Sequence, residues 1–211
     1  MKKAAVGFRV HSGWCAAVSV CLEDAVPVVL HRERVHLVEE FTYRFRQPYH
    51  TAEKMIVAAA RDFIEKAGTT ARELGYRAIC ELRSQLEQRG YALSTAAVLL
   101  AAGKPLPQLE NILASHALIH TADGELFREA LTRASMRCGL EVVSVKEREL
   151  AGEAAQSLGI AEETLRKHVT ELGRSLGPPW SQDEKCAALI AWLALEGGER
   201  RSMARVRPKP A

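Results

Sequence analysis

The sequence predicts an α/β domain with a five-stranded mixed sheet and helices on both faces. Two observations predict it. Before residue 40 the chain holds three alternating or β-branched apolar runs separated by tight turns, the pattern of a three-stranded antiparallel meander. After residue 50, helical stripes alternate with two more short apolar runs, giving the order βββ-α-β-α-β-α. A meander continued by alternating helices and strands closes as one mixed sheet covered on both sides.

The first strand spans residues 4–10 and turns at His11-Ser12-Gly13. The second spans 14–22 and turns at Glu23-Asp24. The third spans 26–39, with Pro27 at its entrance, where a missing N–H is tolerated. Ile56, Ala59, Phe63, Ala67, Ala71, Leu74, Ala78, Leu82 and Leu86 then recur every three or four residues. The stripe keeps phase through Gly68 and Gly75 and predicts one long helix over 51–89, stopped by Gly90. A break at Gly68-Thr69-Thr70 is the alternative, because Gly and Thr are poor mid-helix residues. Residues 91–102 are a buried strand. Residues 109–120 and 124–138 are helical, either run together or broken at 121–124, and 140–145 is the fifth strand. Helices follow at 147–158 and 162–176. Ser181-Gln182-Asp183-Glu184 is a capping box that opens the last helix.

With 211 residues, 47% of them apolar and 26% charged, the chain has ordinary globular usage and length enough for a core without staples. Its five cysteines, Cys15, Cys21, Cys80, Cys138 and Cys186, are odd in number and form no CxxC pair. Neither a disulfide framework nor a zinc ribbon is expected, and a reducing, cytoplasmic location is. The apolar runs at 14–22 and 187–195 reach about half the ~20 residues of a membrane span. The run after Met1-Lys2-Lys3 breaks at Arg9, too early for a signal peptide. The net charge of +3 is carried by the C-terminal segment, where Arg200, Arg201, Arg205, Arg207 and Lys209 face only Glu199. The body thus has no basic surplus with which to wrap nucleic acid through phosphate contacts alone. Gly197-Gly198 is expected to end the last helix, and Pro208 and Pro210 to prevent another, so residues 1–198 form the domain and 199–211 a disordered basic tail.

Three segments carry a family resemblance. They are Ala5-Val6-Gly7-Phe8-Arg9-Val10-His11-Ser12-Gly13-Trp14, then Leu140-Glu141-Val142-Val143-Ser144-Val145-Lys146-Glu147-Arg148-Glu149, and Pro178-Pro179-Trp180-Ser181-Gln182-Asp183-Glu184-Lys185-Cys186-Ala187-Ala188-Leu189. With the element order, they resemble the ribonuclease H fold, and within it the RuvC-type Holliday-junction resolvases, over residues 4–196. The resemblance implies phosphodiester cleavage by two metal ions held by about four carboxylates. Here Arg9 stands where the first-strand Asp belongs. The fourth-strand Glu falls in Ala101-Ala102-Gly103, Asp183 matches one acid of the last helix, and Cys186 takes the place of the second. An arginine in a metal site repels the ion at about 4 kcal/mol per unit charge pair, for ~4 Å and an effective dielectric near 20.

Arg9, with His11 and Ser12 in the adjacent turn, either clamps a phosphate or carboxylate or pairs with an acid such as Asp183. Asp183 and Glu184 complement the helix dipole, and Asp183 is also a ligand candidate. Lys104, between a strand and a helix, is placed to meet an anion without P-loop glycine spacing. His116 and His120 share a helix face, with Asp123 one turn on, a spacing that suits a transition metal. The sequence identifies no third ligand for them, and no cofactor is expected. Gln47-Pro48-Tyr49-His50, before the long helix, either lines the same end of the sheet as Lys104 or is a loop alone. The reading is a non-catalytic, ribonuclease-H-like pseudo-nuclease that binds a partner protein or nucleic acid, with homodimer formation open. The alternative is a metal-dependent nuclease or other hydrolase with a rearranged site. If 199–211 is a solvated tail, removing it should leave the melting temperature within error, and a drop of several degrees would show that it docks.

Overall fold

The computed structural model describes residues 1–101 and 105–206, with side chains through residue 197. Strands β1 (Lys2–His11), β2 (Trp14–Glu23) and β3 (Val26–His36) are antiparallel neighbours. Strand β4 (Tyr91–Leu100) pairs parallel with β1, and β5 (Glu141–Lys146) pairs parallel with β4. The sheet order is β3-β2-β1-β4-β5, the mixed sheet that the meander and the alternating segments predict.

The two-residue period of β1 divides the core. Ala4, Val6, Phe8 and Val10 point into one cluster. Helices α3 (Val57–Gln88) and α5 (His116–Arg137) close that face. Ala5 points to the other face with Val18, Val20, Ala97 and Leu99, under helix α8 (Gln182–Val206). Helices α6 (Leu150–Leu158) and α7 (Glu162–Leu172) pack beside α8.

Helix α3 is one continuous 32-residue rod, roughly 48 Å long, and it passes through both glycines. Gly75 has a packing role. A Cβ there would lie 3.3 Å from Leu131 and 3.4 Å from Ala134, so α5 rests on its backbone. The rod starts at Val57 and not at residue 51. Pro48 instead opens a separate short helix, α2 (Pro48–Ala52), as suits a residue with no N–H, and α1 (Tyr43–Arg46) precedes it.

Other boundaries differ from expectation for local reasons. Helix α5 runs unbroken across 121–124, because Ala122 and Asp123 are buried on its inner face and the Thr121 hydroxyl donates to the Ala117 carbonyl. The break falls earlier, between α4 (Leu109–Leu113) and Ser115. The two helices after β5 each carry a 3₁₀ turn, at Glu147–Glu149 and Arg174–Leu176. Helix α8 does not stop at Gly197-Gly198 but continues to Val206. Each glycine costs only about 1 kcal/mol in a helix, and the residues that follow are mostly good helix formers. Pro208 and Pro210 lie outside the described residues. Among the described residues no helix is long and apolar enough to cross a membrane.

One glycine sets the distance between sheet and helix. Gly7 faces α8, and a Cβ on it would lie 1.9 Å from the Ala187 carbonyl oxygen and 2.8 Å from Ile190. No rotamer change relieves a clash with backbone, so α8 can sit this close to β1 only over a glycine. Gly7→Ala should therefore destabilise the fold by about 1–3 kcal/mol or more in denaturant unfolding. Gly68→Ala, whose Cβ would approach only the flexible end of Arg72 at 3.4 Å and Leu126 at 4.0 Å, should stabilise it by about 0.5–1 kcal/mol. A neutral Gly7→Ala would refute the close-packing argument.

Candidate functional site

The parallel strands β1, β4 and β5 end at one edge of the sheet, and the α8 amino terminus meets them there. Arg9 shares its face of β1 with Ala5 and Gly7, so its side chain points toward α8. Its guanidinium donates from Nη1 to Asp183 Oδ1, and from Nη2 to Glu147 Oε1 at 2.7 Å. The Arg9 and Asp183 side chains are each 21% exposed, and Glu147 is 47% exposed.

Asp183 is held in place from several sides. The capping box forms as expected: the Ser181 hydroxyl accepts from the Asp183 N–H at 3.1 Å, and Glu184 accepts from the Ser181 N–H at 2.8 Å. Arg32 donates to the carbonyls of Gly177, at 3.0 Å, and Pro179. The Trp180 indole donates to the Val169 carbonyl at 2.9 Å. Its ring covers Gly173 so closely that a Cβ there would sit 2.2 Å away.

His11 Nε2 lies 3.1 Å from Asp183 Oδ1, a close approach not aligned as a hydrogen bond. Burial and then the Arg9 charge hold the imidazole below its ordinary range, which favours the neutral ring. From His11 a row of rings and cations runs outward. His11 stacks on its cross-strand partner Trp14 at 4.4 Å and 12°. Arg34 lies over Trp14 at 3.8 Å and Phe41 at 5.2 Å. Arg46 lies over Phe41 at 4.6 Å, and His36 stacks on Phe41. Arg34, His36 and Phe41 are exposed. Ser12 lies in the β1–β2 turn beside this row.

These residues do not fit a pair of hard divalent cations. Such ions need converging anionic oxygens, and the position between Glu147 and Asp183 already holds a permanent cation. Strand β4 ends in Leu100, with Ala101 after it, and supplies no acid. Lys104 lies outside the described residues. Cys186 is buried, and burial pushes its thiol up, away from the ligating thiolate.

His116 and His120 do come together, their Nε2 atoms 3.1 Å apart. Asp123 is not the third member of that group. It is buried on the inner side of α5, accepting from His50 Nδ1 at 2.5 Å and from the Tyr49 N–H at 2.8 Å. Burial raises its carboxyl, opposed by the hydrogen bond to His50. The residue that joins the pair is His50, on α2: the ligand atoms of all three histidines lie within 4.8 Å of one another.

Glu147, the Trp14–Arg34–Phe41 row and the place of His50 beside His116 and His120 were not among the expected site features. Glu147 was accessible in principle, because an acid one residue past a parallel strand shares an edge with the end of β1. His50 was not, since its contact with Asp123 spans 73 residues and depends on how α2 docks.

No protein-family model and no curated protein matches the chain. Solved structures do. Thermus thermophilus RuvC in complex with Holliday junction substrate superposes with a TM-score of 0.52 at 15% identity, over 94% of this chain and 96% of that one. The yeast mitochondrial Holliday junction resolvase superposes with a TM-score of 0.50 at 12% identity, over 96% and 86%. The chain has the RuvC-like ribonuclease H fold, as the sequence resemblance implies.

A double-mutant cycle with Arg9→Met and Asp183→Asn should return a coupling of about 1–2 kcal/mol in denaturant unfolding. The cycle with Glu147→Gln should return less than about 1 kcal/mol, because Glu147 is half exposed. Zero coupling for Arg9 with Asp183 would show that the clamp does not form in solution.

Proposed function

We propose that this protein binds branched or single-stranded nucleic acid through a RuvC-like domain that does not cleave it by two-metal chemistry. The Arg9 guanidinium spanning Asp183 and Glu147 carries the reading. It pairs with both acids that converge at this edge and occupies the place between them, and it stays protonated at any working pH. The row His11–Trp14–Arg34–Phe41–Arg46 supports the binding half of the proposal. It begins at the clamp and alternates rings with cations, the composition on which unpaired bases stack and phosphates rest. RuvC from T. thermophilus, whose fold this chain shares, has been solved with a Holliday junction.

One observation favours a second reading, a metal-dependent nuclease with a rearranged site. Glu147 and Asp183 both lie within reach of one side chain. A substrate phosphate that drew Arg9 away would free both carboxylates at once.

Binding to four-way-junction and single-stranded DNA, read by fluorescence anisotropy, should weaken with added salt. Arg34→Ala should weaken it and lower the salt slope by about one, the loss of one phosphate contact. No product should form with Mg²⁺ or Mn²⁺. Metal-dependent cleavage abolished by Asp183→Asn would establish the second reading, and absence of binding at low salt would remove the first.

A further inference from the structure

The three histidines on α2 and α5 lie outside the clamp, and the nucleic-acid reading makes no use of them. From their geometry we infer a transition-metal site: a Zn²⁺-class ion held by His50, His116 and His120, with its fourth position open to solvent.

The distances suit such an ion. A tetrahedral ion with Zn–N bonds of about 2.0–2.1 Å holds its ligand nitrogens about 3.3 Å apart. His116 and His120 already present their Nε2 atoms 3.1 Å apart, and the His50 ligand atom lies within 4.8 Å of both. Closing that gap takes a small rotation of exposed rings. Their helical spacing keeps His116 and His120 on one face of α5 whatever their rotamers.

The tautomer suits it as well. A metal-binding imidazole usually donates its other N–H to a carboxylate or carbonyl, which fixes the ring and enriches the ligating nitrogen. Asp123 does this for His50. The carboxylate accepts the Nδ1–H, and its other oxygen is pinned by the Tyr49 N–H, in a place where both side chains are almost fully buried. That leaves the Nε2 lone pair of His50 for an ion, and a ring nitrogen of His50 lies within 4.8 Å of one on each of the other two rings. The three rings meet edge to face, with centroids 4.4 to 5.3 Å apart. A hydrogen bond between His116 and His120 alone would explain that pair. It would leave unexplained why a buried acid orients a third imidazole toward it.

Three neutral nitrogens suit Zn²⁺, Co²⁺, Ni²⁺ or Cu²⁺ and disfavour Mg²⁺ and Ca²⁺, which take oxygen. His116 and His120 are exposed, so the fourth position is open to water or to an anionic ligand. An ion here would tie α2, which leads into α3, to the first turns of α5. The site is independent of whether the clamp end binds nucleic acid.

The test is a Zn²⁺ titration of the untagged, chelator-stripped full chain by calorimetry, with Co²⁺ absorption as a second readout. One ion per chain is expected, with visible Co²⁺ bands of four-coordinate strength. His116→Gln and His120→Gln should each weaken binding at least tenfold, and Asp123→Asn 10- to 100-fold. His168→Gln, on the exposed face of α7, should change nothing. Circular dichroism checks folding. If Asp123→Asn unfolds, the two exposed histidine variants still decide. Absence of one-to-one binding by the wild type, or unchanged affinity in both of those variants, would overturn the site.

Discussion

Helix α8 lies on the central strand through a backbone contact, with the Ala187 carbonyl seated where a side chain of residue 7 would be. That approach is allowed only by glycine, and the arrangement of the carboxyl edge follows from it. With α8 pressed onto β1, its first turn comes level with residue 9, and Asp183 reaches the strand. A side chain at residue 7 would lift the helix and separate those groups. The α8 interface is correspondingly dense, with the helix's own Ala188, Ile190 and Ala191 fully buried. The capping box, the Arg32 contacts to Gly177 and Pro179 and the Trp180 ring over Gly173 hold the helix start in place along the other directions.

Within that frame, one residue type decides the chemistry of the edge. An acid at position 9 would add a third carboxylate to Asp183 and Glu147 and create a strongly anionic pocket that a divalent ion would have to neutralise. Arginine does the reverse. Its planar fork satisfies both acids with donors on a rigid group, and the edge becomes a closed ion cluster. The His11 ring, its pKa lowered by burial and by Arg9, links this cluster to the Trp14 stack. The same end of the molecule thus carries a structural cation and, on the α2–α5 side, a nitrogen-rich cluster of quite different ligand preference.

Features governed by local periodicity were legible in the sequence. The unbroken stripe from Ile56 to Leu86 specified one long helix despite two glycines, and the helix is there. The element order specified the sheet, and Ser181 and Glu184 specified the cap. What failed were helix boundaries, where weak helix formers were held by side-chain partners or by the helix running on through them. Residues 121–124 look like a break because Thr, Asp and Gly are weak helix formers. They stay helical because Asp123 finds His50 and Thr121 finds Ala117. Gly197-Gly198 looks like a stop, yet the helix continues to Val206. Arg9 in place of an acid was visible, as was its candidate partner Asp183. The second acid of the clamp emerged only when β5 was placed beside β4.

Asp183 at the α8 start and Glu147 after β5 are held by Arg9 and not by metal. Anomalous diffraction from crystals grown with Mn²⁺ tests this directly. The account predicts Arg9 seated between Glu147 and Asp183 with no anomalous peak at that position. A Mn²⁺ ion bridging the two carboxylates, with Arg9 swung away, would contradict it.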